Sequence, residues 1–245
     1  TIASTGSPLI HETFDYVYKY IKKDVHLASI SGGTDIVSCF VLGNPMQPVY
    51  SGEIQSKGLG MDIDIFDDKG NSIKEKKGEL VCKTPFPSKP IYFFNDKNNK
   101  KYFDAYFSKY KNIWHHGDYA TTTANNGFII YGRSDSTLNS GGVRIGTAEL
   151  YRVVENIKNI KECLAAELNI KHDTKVILFI KTNKKIKLDN IFCNQIKKEI
   201  KDKLSPKHIP SKIISISDIP KTKSGKIVEV TVKKILNKEK IDNLG

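Results

Sequence analysis

The sequence predicts a two-part chain of mixed class. An α/β part with a small β-structure occupies residues 1–133, and a compact α+β unit occupies 134–245. Three observations predict it. Short apolar runs of period two, such as 61–66 (MDIDIF), 79–82 (ELVC) and 128–132 (FIIYG), alternate with segments of helical period. The texture turns polar and glycine-rich just after Arg133, at 134–146 (SDSTLNSGGVRIG). The charge changes there as well. Residues 1–133 carry 16 basic and 14 acidic groups and residues 134–245 carry 23 and 13, so most of the net charge of +12 lies in the second part.

The elements follow in order. Residues 1–4 (TIAS) read as a strand, and a chain that opens inside a strand at Thr1 is expected to have lost a preceding part. Residues 11–24 place Phe14, Val17, Tyr18 and Ile21 on one helical face. The apolar segment 27–30 (LASI) runs into SGGTD. DDKGN at 67–71 is a turn between strands, and the three prolines of 85–90 (PFPSKP) demand a loop. ANNG at 124–127 is a hairpin tip ahead of FIIYG. In the second part a helix covers 147–157, with Thr147 as its cap and Leu150, Val153, Val154 and Ile157 as its stripe. Strands at 163–169 and 175–181, a Lys-rich helix at about 189–203, a strand at 212–217 and a helix at about 226–237 complete the unit.

Composition excludes several classes. With 39% hydrophobic and 27% charged residues the chain is neither disordered nor fibrous. Its longest apolar runs, such as 36–42, fall well short of the roughly 18 residues needed to cross a bilayer, and no secretory signal opens it. Cys39, Cys82, Cys163 and Cys193 form neither a CxxC pair nor a metal-spaced cluster, which points to reduced thiols and a cytoplasmic protein.

The basic excess attracts polyanions, whether nucleic acid, anionic lipid, or the phosphates of nucleotide and coenzyme; a solvated lysine coat is the alternative. Nucleic acid is not expected, because no recognition helix or aromatic stacking motif accompanies the charge. Of 39 basic residues only Arg133, Arg144 and Arg152 are arginine, all within 20 residues. Arg offers a planar fork that Lys cannot copy at a phosphate or ribose.

Four segments could carry chemistry. In SGGTDI (31–36), adjacent glycines admit a ligand to the backbone, and Thr34 and Asp35 add oxygen donors suited to phosphate-bound magnesium. A plain glycine turn is the alternative. In WHHGDYA (114–120), an aspartate after glycine at a strand end can accept from a ribose diol, while the two neighbouring histidines point to opposite faces and would not chelate together. YGRSDSTLNSGGVRIGTAE (131–149) holds two arginines, a Gly-Gly pair and a helix N-terminus, where backbone amides bind anions. In PKTKSGKIVE (220–229), Lys226 ends a Pro/Gly loop and could stabilise charge developing on an acyl or phosphoryl group. An ordinary surface lysine is the alternative.

Taken in order, GSP (6–8), GGTD (32–35), GD (117–118), GRSDSTLNSGGVRIG (132–146) and KTKSGK (221–226) resemble the acyl-adenylating superfamily of acyl-CoA synthetases, luciferases and peptide-synthetase adenylation domains. Within it the chain is most similar to the acetoacetate–CoA ligase family. That likeness runs through 30–61, GELVCKTPFPSKP, IWHHGDYA, GRSDSTLNSGGVRIGTAELYR and SPKHIP.

The resemblance implies the C-terminal part of a large acyl-adenylate-forming domain followed by a small lid domain that rotates between two half-reactions. Acid and ATP give an acyl-adenylate and pyrophosphate; coenzyme A then takes the acyl group and releases AMP. Gly6, Ser7 and Pro8 would line the adenine, Thr34 would contact the α-phosphate, and Asp35 takes the acidic position associated with Mg2+. Asp118 and Arg133 would hold the ribose, and Asp135 matches the hinge. Arg144 would meet phosphate, and Gly141 and Gly142 would border the pantetheine tunnel. Lys226 matches the lysine that serves adenylation. Gly32, with Gly33 in the acyl pocket, falls where acetate-specific relatives carry a bulky aromatic residue, which leaves room for acetoacetate. The family's Ser/Thr/Gly-rich phosphate loop is absent, so the chain is expected to be the C-terminal portion of a longer enzyme. An inactive remnant, or a synthetase for another short acid, would keep the same motif order.

Overall fold

The structure, a computed structural model, describes residues 1–140, 143–170, 173–183, 186 and 188–241. It divides into two units, Thr1–Gly132 and Arg133–Gly245.

In the first unit β1 (Ile2–Ser4) is followed by α1 (His11–Tyr16) and a single π-helical turn, Val17–Ile21. β2 (Leu27–Ser29) returns parallel to β1 in the register Ser4↔Ser29. Phe14, Val17 and Leu27 form a small core beneath these strands. The helix stops earlier than the periodicity predicts. Ile21, expected on the buried face, is exposed, because the wider π turn, closed by Lys22 N–H to the Val17 carbonyl, shifts the phase of the last residues.

β3 (Ser31–Gly33), β4 (Ser38–Leu42) and β5 (Ser56–Lys57) make a three-stranded antiparallel sheet. A second sheet runs in the order β6 (Ile63–Phe66), β7 (Gly78–Cys82), β8 (Trp114–Thr122) and β9 (Phe128–Arg133). Ahead of β8 lies α2 (Lys100–Tyr106). The alternation read in MDIDIF buries Met61, Ile63 and Ile65 in the main core with Phe40, Leu80, Trp114 and Phe128. Asp67 closes the DDKGN turn, accepting from the Lys69 and Asn71 amides at 2.9 and 2.8 Å.

The second unit opens with the antiparallel pair β10 (Leu138–Ser140) and β11 (Val143–Ile145), then α3 (Thr147–Glu155). The cap of α3 is Gly146, not Thr147, which is the first helical residue. Glu149 reaches back to accept from the Gly146 amide at 3.2 Å, the acidic half of a capping box, and its own amide bonds the Gly146 carbonyl at 3.1 Å. β12 (Ile160–Ile170) and β13 (Asp173–Thr182) are long antiparallel partners. α4 (Asn190–Lys203) is capped by the Asp189 side chain, and β14 (Lys212–Ser215) adds to β13 in parallel. α5 (Glu229–Leu236) begins three residues later than predicted.

The period-two pattern of β12 explains how this unit packs. Cys163 and Ala165 face a core with Leu150, Val153, Ile196 and Ile200 of α3 and α4; Leu164 and Ala166 face Val232 and Leu236 of α5. Both faces are covered, so CLAA reads as an unbroken apolar run. Among the described residues no helix is long and apolar enough to cross a membrane.

Candidate active site

The parallel pairing of β1 and β2 puts their carboxyl ends together. From β1 emerges the Gly6–Pro8 segment, where Gly6 takes a left-handed φ of 94° and a Cβ there would meet nothing within 4 Å. From β2 the chain passes into β3 and the turn of Thr34 and Asp35, and Ile30 N–H bonds the Ser4 carbonyl at 2.9 Å where the two exits meet. The crevice beyond the carboxyl ends of parallel strands is the usual ligand position in α/β sheets.

Ser7, Thr34 and Asp35 are exposed. Asp35 is nonetheless oriented: its Oδ1 accepts from the Ile36 amide at 3.1 Å and its Oδ2 from the Tyr106 hydroxyl of α2. Tyr106 in turn stacks on Trp114, ring centroids 3.7 Å apart. Val37, which closes the turn, has φ 48°, a strained value for a β-branched residue.

The two glycines before this turn differ. A Cβ on Gly32 would lie 2.1 Å from the Ser38 carbonyl oxygen and 2.7 Å from Cys39 Cα, so the space expected to admit a longer acid is filled by the backbone of β4. On this backbone a side chain at Gly32 would need the turn or β4 to shift. A Cβ on Gly33 would instead meet side chains, Asp35 Oδ1 at 2.1 Å and the His116 ring at 2.6 Å.

The GD pair lies within β8 rather than at its end. Glu79 pairs with Tyr119 and Val81 with His115, so β8 has His116, Gly117 and Asp118 where β7 has Leu80 alone. This bulge needs the left-handed φ of 83° at Gly117 and re-aims Asp118, which is buried. A bulge of this kind leaves little trace in the sequence beyond the glycine itself. The two histidines diverge as expected. His115 meets the buried Glu79 at 3.0 Å, beside Lys109 at 2.5 Å from the same carboxylate. His116 packs edge-on to Phe40 and faces the Trp114 indole N–H at a long 3.5 Å. Among the described residues no three His, Cys, Asp or Glu converge as a metal site.

In the second unit, Arg133 and Asp135 are exposed and 3.4 Å apart. The Ser136 and Thr137 hydroxyls bond the Arg133 and Ser134 carbonyls, which makes a tight turn of the predicted hinge. Arg144 is on β11 opposite Asn139. Gly141 and Gly142 lie outside the described residues. Lys226 ends a closed loop: Thr222 N–H bonds the Lys226 carbonyl at 2.8 Å, Lys226 N–H bonds Thr222 Oγ1 at 3.2 Å, and Gly225 makes the turn at φ 84°. Lysines around it are engaged, Lys221 with Glu162 and Lys233 with Glu167. Among the described residues no carboxylate pairs with Lys226, which is exposed.

Two groups that sequence reasoning passed over stand out near this loop. Tyr151 donates to Glu229 at 2.6 Å, and Cys163 is wholly buried beside Glu155. Burial pushes both the Tyr151 phenol and the Cys163 thiol well above their ordinary pKa values, and a carboxylate beside each adds to the effect.

Comparison with known proteins adds the following. No protein-family model matches the chain. It is 50% identical over 242 residues to the acetoacetyl-coenzyme A synthetase of Rhizobium meliloti and 44% identical over 247 residues to the acetoacetyl-CoA synthetase of Xenopus tropicalis. These alignments cover 99% and 100% of this chain but 37% of each relative. Among solved structures, the acetoacetyl-CoA synthetase of Streptomyces lividans superposes with a TM-score of 0.86 at 39% identity, over 99% of this chain and 38% of that one. The anthranilate CoA ligase AuaEII, with anthranoyl-AMP, gives a TM-score of 0.76 at 18% identity over 96% of this chain and 44% of that one, a likeness of fold alone.

Proposed function

We propose that this chain, homologous over its whole length to acetoacetyl-CoA synthetases and sharing the fold of AMP-binding acyl-CoA ligases, serves an ATP-dependent ligase that joins acetoacetate to coenzyme A. The observation that carries the reading is the parallel pairing of β1 and β2, with Gly6–Pro8 following β1 and β2 leading through β3 to Thr34–Asp35. The whole-length identity to acetoacetyl-CoA synthetases supports acetoacetate as the acid.

In this reading a carboxylate oxygen of acetoacetate attacks the α-phosphorus of ATP, and the bond to pyrophosphate breaks. The sulfur of coenzyme A then attacks the acyl carbon, and AMP leaves. In the first unit Gly6, Ser7 and Pro8 border the adenine, Thr34 donates to the α-phosphate, Asp118 accepts from the ribose, and Gly33 borders the acid. In the second unit Arg133 and Arg144 meet ribose and phosphate, Asp135 is the pivot of the lid, and Gly141–Gly142 border the pantetheine arm.

Lys226 places an ammonium at the reacting carboxylate and phosphate, where it offsets the charge that develops. Among the described residues no carboxylate pairs with it, which suits that task. The oxygen donors of Thr34 and Asp35 fit magnesium, which is commonly held by one or two carboxylates together with substrate phosphates. Bound with ATP, the ion would neutralise phosphate charge. The free cysteines suit a reducing, cytoplasmic setting.

The test is ATP–pyrophosphate exchange by this chain with acetoacetate, acetate, butyrate or no acid. Exchange that depends on acetoacetate, and drops about 100- to 1000-fold in Lys226→Ala, is the expected result. No exchange with any acid would mean that the chain alone does not adenylate.

A further inference from the structure

We propose that Tyr151 is a positioning residue for Lys226: through Glu229 it fixes the base of the loop that presents the lysine. The proposal rests on the ligase reading and adds to it a residue that acts through the loop.

The loop is tied to itself. Lys221 and Ile227 form a β-bridge, Gly225 N–H bonds the Thr222 carbonyl at 2.9 Å, and Val228 N–H bonds the Pro220 carbonyl at 3.3 Å. A segment closed in this way moves as one piece, so the place of Lys226 is decided at the two ends. At the first end Ile219 is buried and Lys221 is paired with Glu162 in a partly exposed bridge. At the second end stands Glu229, the first residue of α5 and three residues from Lys226. The Tyr151 hydroxyl of α3 donates to Glu229 Oε1 at 2.6 Å and accepts the Ala165 amide of β12 at 3.1 Å.

The chemistry of that oxygen sets its direction. A hydroxyl has one proton, and the Ala165 N–H already points at the oxygen, so the O–H goes to the carboxylate. Ala165 lies on the edge of the β12–β13–β14 sheet, and its amide, like that of Cys163 two residues earlier, is met by a side chain of α3. One phenol oxygen thus ties the end of the Lys226 loop to the most extensive sheet of the unit. Burial keeps the phenol protonated and donating throughout the neutral range. The Lys221–Glu162 pair is more exposed and more readily screened by salt.

The test compares Tyr151→Phe, Glu229→Ala and Glu229→Gln in the full chain. Tyr151→Phe keeps the ring and deletes only the donor; Glu229→Gln keeps an acceptor oxygen. Hydrogen exchange is followed in peptides covering 220–228 and, as reference, 175–182. The expected result is exchange about tenfold faster in 220–228 for Tyr151→Phe and Glu229→Ala, an unchanged reference, and substantial recovery in Glu229→Gln. Unchanged exchange in 220–228, or equal acceleration in both peptides, would overturn the proposal.

The activity arm measures adenylation by ATP–pyrophosphate exchange, and thioester formation from supplied acetoacetyl-adenylate and coenzyme A. Adenylation is expected to fall about 10- to 100-fold in Tyr151→Phe while thioester formation stays within about twofold. Equal loss in both half-reactions would reduce Tyr151 to a structural role. An unaltered chain inactive in both would mean that this chain alone catalyses neither half-reaction, and hydrogen exchange would still decide the positioning.

Discussion

The hydroxyl of Tyr106 donates to the carboxylate of Asp35, 71 residues earlier in the chain. Asp35 lies in an exposed turn, and Tyr106 is a buried residue of α2 whose ring stacks on Trp114. An exposed acidic group of the proposed site is thereby held by the main core of the first unit.

Replacing Tyr106 by Phe keeps the stack and removes the hydrogen bond. The expected cost is about 1.5 kcal/mol in chemical denaturation, at the low end for a bond to a charged group because Asp35 is exposed. Trp114 is the sole tryptophan, so its emission reports the stack directly. The emission maximum should not move in Tyr106→Phe, whereas Tyr106→Ala should shift it to the red and cost about 3 kcal/mol.

Gly32 and Gly33 should respond differently to alanine. At Gly32 the new methyl meets backbone of β4, which cannot yield, and a loss of about 2–3 kcal/mol is expected. At Gly33 it meets the Asp35 carboxylate and the His116 ring, which can rotate away at a cost of about 1 kcal/mol. Gly33→Ala should therefore remain folded yet lose more than about tenfold in acetoacetate-dependent exchange. Equal stability of the two variants would contradict this account.

Val37 carries strain without burial, being 89% exposed at φ 48°. Asparagine tolerates the left-handed region far better than a β-branched residue. Val37→Asn is expected to raise stability by about 1 kcal/mol. A neutral or destabilising effect in urea titration would show that the turn relaxes out of this conformation.

The second unit should lose stability at alkaline pH. The thiol of Cys163 and the phenol of Tyr151 have folded pKa values raised above their unfolded ones, chiefly by burial. Their contribution is complete below the unfolded values, which lie near 9 and 10, and is lost as pH rises from there towards the folded values. Each group adds a slope of at most about 1.4 kcal/mol per pH unit. Glu162 acts in the opposite sense. Its hydrogen bond from Lys221 lowers its pKa, so its contribution is present above the unfolded value and fades as pH falls through the folded one. Cys163→Ala should flatten the alkaline limb of a urea-denaturation series.

Much of this architecture was legible in residue pattern. The strands of MDIDIF and ELVC, the DDKGN turn and the amphipathic helix α4 follow from apolar spacing and turn chemistry, which act over a few residues. The misplaced boundaries have local causes that spacing does not encode. The π turn rotated Ile21 outward, and the cap of α3 fell on Gly146, one residue before Thr147, with Glu149 accepting its amide. The three residues opposite Leu80 show the same limit, since a bulge is a property of a strand pair.

By itself the sequence determined the motif order and its resemblance to acyl-adenylating enzymes, because that information lies in residue identity along the chain. It also determined which faces of the strands and helices are apolar. The tertiary structure alone decided that β1, ahead of Gly6–Pro8, pairs in parallel with β2, which leads through β3 to Thr34–Asp35, that Gly32 is closed off by β4, and that Tyr106 and Tyr151 hold Asp35 and Glu229. The two tyrosine bonds join residues 71 and 78 positions apart. The register of β1 on β2 spans 25 residues, and no local propensity reaches across it. Such contacts form only when hydrophobic burial brings distant elements together, and their geometry is then set by how those elements pack.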